Sequence, residues 1–320
     1  MKISSIVDIV NGDLQNSPAI SFITQAHTNI SKINDGDLFI SSNEDKIIQA
    51  INNGAFAIIY DIELDISILN NEIAYIKVPS INQACTRLLR FELSNKKINS
   101  IYCDDISYEI FNIYKDSNTT LCLDDDIIKN FEHIKNKHDL KLIISNNKDF
   151  LLNIYPTSSE FKIIHYDLKN LIVHSLFETS FSFKSRYFYK LKLPMIYIDK
   201  FISIIEYLNI SDVDTSKLKN FKYLKPIFIN KSNQIVDYGK SNMFILANKN
   251  NHINYLEVAF LTKAYNYAKI QVLDDNITNE EDIYKHISKH NYNALYIKSK
   301  SYDEIITLLQ ANQKKQELLF

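Results

Sequence analysis

The sequence predicts an α/β protein with more than one sheet. Short apolar runs of strand length alternate with segments whose apolar residues recur at helical spacing, the pattern of parallel sheets with helices on their faces. One interval, Leu171 to Leu193, breaks that pattern with aromatic and β-branched residues in partial alternation, as antiparallel strands do. Glycine is scarce, with four in 320 residues, and two of the four fall within one strand-helix unit.

That unit comes first. In Ile33-Asn34-Asp35-Gly36-Asp37-Leu38-Phe39-Ile40, Gly36 sits in a polar turn before a strand, and Ala50-Ile51-Asn52-Asn53-Gly54-Ala55 places Gly54 just past a helical segment. A left-handed helix C-cap needs a residue without a Cβ, so Gly36 and Gly54 are expected in a turn and a C-cap. Phe56 to Tyr60 is the next strand. A further strand leads to Pro79, and Ser80 then opens a helix whose buried face is Ile81, Ala84, Cys85, Leu88 and Leu89.

Asn95-Lys96-Lys97 is a polar break. Beyond it, Ile98 to Cys103, Thr119 to Leu123 and Leu140 to Ile144 read as strands separated by helices over Tyr108–Tyr114 and Ile127–Lys137. After the antiparallel interval, Pro194 precedes a helix marked by Phe201, Ile202, Ile205 and Leu208. From Lys225, strands are expected at Met243–Ala247, Ile270–Leu273 and Ala294–Ile297. Leu256, Ala259, Phe260, Ala264 and Tyr267 mark a helix between the first two, Ile283 and Ile287 one between the last two, and Ile305 and Leu309 one after them. This last part reads as a small Rossmann-like unit without a dinucleotide fingerprint. Boundaries near 95 and 224 give three expected domains, 1–95, 96–224 and 225–320.

Composition narrows the function classes. A net charge of −2, from 36 basic and 38 acidic residues, carries no polyanion-binding signal, so nucleic acid is not an expected partner. No stretch approaches the roughly 18 to 20 apolar residues of a membrane span, and Met1 to Asp8 lacks a signal-peptide core. A cytoplasmic location is expected. Cys85, Cys103 and Cys122, odd in number and widely spaced among apolar residues, read as reduced core thiols rather than disulfide or zinc partners.

The Gly36-Asp37-Leu38-Phe39 turn and strand, the Ala50-Ile51-Asn52-Asn53-Gly54-Ala55 helix end and the strand Phe56-Ala57-Ile58-Ile59-Tyr60 together resemble the N-terminal domain of the Mur ligases. Those enzymes use ATP to join amino acids to UDP-linked muramyl precursors of the bacterial cell wall. The resemblance implies a multi-domain α/β arrangement: a small N-terminal domain, a reduced central parallel-sheet domain and a C-terminal Rossmann-like domain. A second similarity is Gln234-Ile235-Val236-Asp237-Tyr238-Gly239, where the family opens its C-terminal domain with a strand running into "DYaH.P". Lys240 stands in the histidine place and Asn242 in the proline place. The resemblance sets Asp237 near a cleft between domains, whereas the residues alone are equally read as a turn after a strand. In a weaker echo, Leu191-Lys192-Leu193-Pro194 leads into the Phe201 to Leu208 helix.

Where the family carries its ATP loop, a strand followed by "TG.nGKTT", this chain has Ile101-Tyr102-Cys103-Asp104-Asp105-Ile106-Ser107-Tyr108, and no glycine lies between Gly54 and Gly239. Without glycine a loop cannot bring its backbone against a polyphosphate, and Asp104 and Asp105 repel one. Gln25-Ala26-His27-Thr28 replaces the "DSR" of the family's uridine-nucleotide site. Other candidates read more simply. Asp124-Asp125-Asp126 reads as a helix N-cap rather than a cation site, and Asp274-Asp275 as a polar loop at a strand's carboxyl end. His133 and His138 are too loosely spaced for a helical metal pair. Lys184, Arg186, Lys190 and Lys192 read as an exposed strand face, with a basic groove as the alternative.

The sequence therefore points to a Mur ligase-like protein without ligase chemistry, a binding or scaffold component of peptidoglycan precursor synthesis. The alternative is an active ATP-dependent amide ligase on UDP-muramyl precursors with a rebuilt nucleotide site. A third reading is a small-molecule enzyme built on the C-terminal unit. No catalytic residue, metal or cofactor is expected. The expected partner is a UDP-muramyl peptide or a peptidoglycan-synthesis protein, and the expected ligand contacts are Asp237, Tyr238 and Lys240, with Asp104 and Asp105 opposite.

Overall fold

The computed structural model describes residues 1–94, 96–137 and 139–317; Asn95 and His138 lie outside them. The chain gathers into two compact units, Met1–Lys162 and Ile163–Phe320, so residues 95 and 224 each fall inside a unit.

The first unit contains α1 (Ile3–Val10), β1 (Asp13–Leu14), β2 (Ala26–His27), β3 (Leu38–Ile40), α2 (Glu44–Asn52), β4 (Ala57–Tyr60), β5 (Ala74–Lys77) and α3 (Ile81–Ser94). These are followed by β6 (Asn99–Tyr102), α4 (Asp105–Tyr114), β7 (Thr120–Leu123), α5 (Ile127–Lys135), β8 (Leu142–Ser145), α6 (Lys148–Ile154) and β9 (Ser159–Glu160). One sheet runs β1-β5-β4-β3-β2, parallel except for β1; the other, β7-β8-β6-β9, is parallel throughout. β4 shows why its sequence is continuously apolar. Ala57 and Ile59 face one core while Ile58 and Tyr60 face another, so both sides of the strand are covered.

A helical layer joins the two sheets. α3 packs against α1, α5 and α6. One continuous core then takes in Ile6 of α1, Ile76 of β5, Leu89 of α3, Phe131 of α5, Ile143 of β8 and Leu151 of α6. The predicted face of α3, Ile81, Ala84, Cys85, Leu88 and Leu89, is the face it buries. Its first turn is held from outside the helix, since the Ile81 N–H donates to the Asp61 carboxylate at 3.0 Å.

The second unit begins with an antiparallel sheet, β10 (Lys169–Ser175), β11 (Glu178–Phe183) and β12 (Arg186–Leu191), then α7 (Ile198–Tyr207). Phe188 stacks on Phe181 at 4.9 Å and meets Phe201 of α7 edge-on at 5.7 Å. A mixed sheet follows, β13-β14-β16-β15, from β13 (Ile227–Phe228), β14 (Phe244–Ala247), β15 (Ile270–Leu273) and β16 (Ala294–Ile297). Between and after these strands come α8 (Asn251–Ala264), α9 (Glu280–Ser288) and α10 (Tyr302–Glu317). β14, β16 and β15 are parallel and β13 is antiparallel to β14. The class is α/β, and among the described residues no helix is long and apolar enough to cross a membrane.

The helix marked by Leu256, Ala259, Phe260 and Ala264 forms as α8, and it buries Ile253, Asn254, Glu257 and Leu261, while Leu256 is 56% exposed and Tyr267, beyond its end, 82%. The helix turns inward the face that carries a carboxylate, because partners distant in sequence satisfy it. One local expectation is corrected: Ile235-Val236-Asp237 is not a strand, and Ile235 makes only an isolated bridge to Ile229.

Candidate functional site

The two glycines of the N-terminal unit act together. Gly36 and Gly54 both have positive φ, +91° and +93°. At the end of α2 the Ala55 N–H reaches the Ala50 carbonyl at 2.9 Å and the Gly54 N–H reaches Ile51 at 3.1 Å, a Schellman cap. The Gly36 N–H then donates to the Gly54 carbonyl at 3.0 Å. Asp37 is buried and accepts from the Gln25 N–H and the Asn34 N–H, both at 3.0 Å, and from the Thr24 hydroxyl. It fixes the loop that carries Gln25 to Thr28, and neighbouring Phe39 is wholly buried. His27 lies between two carboxylates, 3.7 Å from Asp37 and 3.5 Å from Glu132. Glu132, on α5, accepts from the Thr28 N–H at 2.7 Å, the Asn29 N–H at 3.2 Å and Lys32 at 2.9 Å. Burial pushes its carboxyl up, but these bonds outweigh burial and hold it below the ordinary value.

At the β6–α4 junction, where a phosphate loop would stand, only Cys103 and Asp104 separate strand from helix. Asp104 caps α4: its carboxylate accepts from the Ser107 N–H at 3.0 Å and the Ser107 hydroxyl at 3.1 Å. Asp105, in the first turn, accepts from the Asn146 amide. A donor that a phosphate would use at a helix N-terminus, the Ser107 N–H, is thus taken by the Asp104 carboxylate, and Asp105 adds a second acidic group to the first turn.

In the second unit, Asp237-Tyr238-Gly239-Lys240 is a β-turn closed by the Lys240 N–H to the Asp237 carbonyl at 3.0 Å, with Gly239 at φ +73° as type II geometry requires. Asp237 and Lys240 are exposed. Tyr238 is the member that borders a pocket, of about 350 Å³, within this unit. The pocket's walls are Phe177 from the β10–β11 turn, Phe228 of β13, Tyr238 and Tyr302 at the start of α10. Phe228 meets Tyr238 edge-on at 5.1 Å, and the Tyr238 hydroxyl bonds Ser175 at 3.1 Å. Lys192 lies over the Tyr238 ring at 5.5 Å and Lys225 over the Tyr302 ring at 4.6 Å, while Lys219 joins them at the edge.

Beneath this pocket lies a polar network that the sequence does not announce. Glu257 of α8 is 1% exposed and accepts from the Tyr197 hydroxyl at 2.7 Å, the Leu224 N–H at 3.1 Å and the Tyr296 hydroxyl. Burial raises its carboxyl above the ordinary glutamate value despite those donors. Leu224, between Tyr223 and Lys225, is held in the left-handed region at φ +46°.

The remaining candidates resolve as local structure. Asp126 caps α5 through the Ile128 and Lys129 N–H groups, at 3.0 and 3.1 Å, and Asp124 pairs with Lys129 at 2.6 Å. Asp274 accepts the Ile277 N–H in a turn after β15. His133 lies in the last turn of α5. Lys184 pairs with Glu206, Lys190 lies over Tyr189, and only Lys192 of the strand cations reaches the pocket. The cysteines are free thiols; burial pushes Cys85 up to about 12 and Cys122 to about 11. Among the described residues no cluster of His, Cys, Asp and Glu has the make-up of a metal site.

No protein-family model and no curated protein sequence matches this chain. Solved structures do. The chain is similar to MurF ligase from Thermotoga maritima in complex with ADP, at 10% identity and TM-score 0.49 over 91% of this chain and 98% of that one. It is similar to MurF from Acinetobacter baumannii at 10% identity and TM-score 0.48, over 92% and 85% of the two chains. A UDP-N-acetylmuramoyl-L-alanyl-D-glutamate–2,6-diaminopimelate ligase gives 13% identity and TM-score 0.40, over 96% and 90%.

Proposed function

We propose that this chain is a Mur ligase-like binding or scaffold protein of peptidoglycan precursor synthesis that does not carry out ATP-dependent ligation. The observation that carries this reading is the β6–α4 junction. A phosphate-binding loop needs about six residues between strand and helix, glycines among them, and a lysine at the helix start. Here two residues make the connection, Asp104 occupies the helix N-terminus, and Asp105 follows it. Each unit charge about 4 Å from a phosphate oxygen opposes it by about 1 kcal/mol in water and about 4 kcal/mol at a partly screened site.

The link to cell-wall precursors rests on the Gly36-to-Tyr60 motif, whose turn and C-cap geometry is that expected of the resemblance. The ligand contacts proposed for such a protein are Asp237, Tyr238 and Lys240 of the second unit; Asp104 and Asp105, the other two candidates, belong to the first. The alternative, a working amide ligase with a rebuilt nucleotide site, predicts different calorimetry. Titration with ATP-Mg²⁺ and with UDP-muramyl peptides separates them. The binding protein takes up the muramyl peptide without ATP and releases no ADP, whereas the ligase binds both and turns over.

A further inference from the structure

We infer that the pocket between the β10–β12 sheet and the C-terminal sheet is a binding site for a small organic anion with an apolar, flat body. Its volume of about 350 Å³ lies within the range of small-molecule sites, and its walls are mostly apolar, with aromatic rings from Phe177, Phe228, Tyr238 and Tyr302 among them. Three lysines from separate parts of the chain line it: Lys192 follows β12, Lys219 lies in the 3₁₀ helix Thr215–Asn220, and Lys225 precedes β13. The Lys192 and Lys225 ammonium groups lie over its aromatic rings.

Lys192 and Lys225 make no ion pair among the described residues. Each lies against an aromatic ring, which leaves its charge available to a ligand. Of the nearby acids, Asp303 pairs with Lys222 at 3.3 Å and acts on Lys225 only through space, less strongly than burial does, and Glu178 lies near Tyr238 without lining the pocket. Burial lowers the Lys225 ammonium below the ordinary lysine value, a desolvation that an anionic ligand would offset.

The site is also held in shape. Lys225 donates to the Lys219 carbonyl at 2.8 Å, and the preceding Leu224 is kept in a left-handed conformation by its N–H bond to buried Glu257. A non-glycine residue keeps such a conformation only where its surroundings over-determine it, so Lys225 is presented in one position before any ligand arrives. Aromatic walls for the body and fixed ammonium groups for the charge select an aromatic carboxylate, sulfonate or phosphate over a neutral aromatic compound.

The test uses the whole chain and two fluorescent probes of nearly equal shape. 8-Anilinonaphthalene-1-sulfonate carries the charge; N-phenyl-1-naphthylamine lacks it. The sulfonate should saturate a single site. Lys192→Gln and Lys225→Gln should each weaken it about tenfold, the size of one charge-assisted interaction, while leaving the neutral probe nearly unchanged. Val173→Ser, on the exposed β10 strand, should change neither. Lys192 is exposed, so its variant tests the charge even if Lys225→Gln perturbs the fold. Unsaturable sulfonate binding, equal affinity for the two probes, indifference to both lysine variants, or loss on Val173→Ser would each overturn the assignment. Although the site belongs to the reading of the chain as a binding protein, the two fail separately. A chain that bound ATP at micromolar concentration and the sulfonate at this pocket would overturn the former alone.

Discussion

A methyl group added at Gly54 would meet the Asp35 side chain at 1.8 Å and its Cα at 3.1 Å, on a backbone with φ +93°. One added at Gly239, φ +73°, meets nothing within 4 Å. Both substitutions incur the conformational cost, and only Gly54→Ala must also move the Asp35 side chain and crowd its Cα. Gly54→Ala should therefore destabilise the chain by about 1–3 kcal/mol and by more than Gly239→Ala does. Denaturant midpoints of the two variants measure this, and equal losses would contradict the close approach of Asp35 to Gly54. Glu304 gives a pH signature. Ser301 and Glu304 form a capping box at the start of α10, the Ser301 N–H donating at 2.7 Å, and Lys249 adds a bond at 2.7 Å. Burial pushes this carboxyl up, yet these bonds hold it at about 2, against an ordinary 4.5. A lowered folded-state value gives stability that is present above pH 4.5 and lost as the pH falls toward 2. The stability difference between the native chain and Glu304→Gln should be full at pH 7 and gone near pH 2. With 39% of that side chain exposed, the difference should stay at about 1 kcal/mol or less. The glycines and the Ser301–Glu304 box are legible because their causes lie within a few residues. Glu257 is not: its hydroxyl donors stand 60 and 39 residues away.

α3 and α8 show where helical reading works. The apolar stripe of α3 is wide and packs on three other helices, so its buried face follows from spacing alone. α8 carries apolar residues around much of its circumference, and Tyr197, Tyr296 and Leu224 choose the face with Glu257. The shared layer of α1, α3, α5 and α6 leads to a prediction about folding. Residues 1–162 expressed alone should unfold in a single cooperative transition. Residues 1–95 alone would leave the outward face of α3 and the Thr28–Asn29 backbone without Phe131, Leu151 and Glu132. That shorter fragment should bind a hydrophobic dye and lack a sharp melt. Two separate transitions in 1–162, or a cooperative melt of 1–95, would contradict the common core.

For the whole molecule, the α/β class, the longer parallel strands and the antiparallel interval were legible because period-2 and period-3.6 patterns are local, whereas the two-residue strands β1, β2, β9 and β13 are too short to show one. Division into two units was not, since the helical layer joining the first two sheets depends on contacts such as Glu132 with Thr28, 104 residues apart. The pocket was legible only through Tyr238 and Lys192; Lys225 and Tyr302 carry no motif and meet through the fold. The proposed reading, a chain that binds rather than ligates, turns on the two-residue β6–α4 junction. Isothermal titration of the intact protein with ATP-Mg²⁺ tests it most directly. Affinity no tighter than roughly millimolar, about −4 kcal/mol, is the expected result. Micromolar affinity, lost when Asp104 or Asp105 is changed, would contradict it.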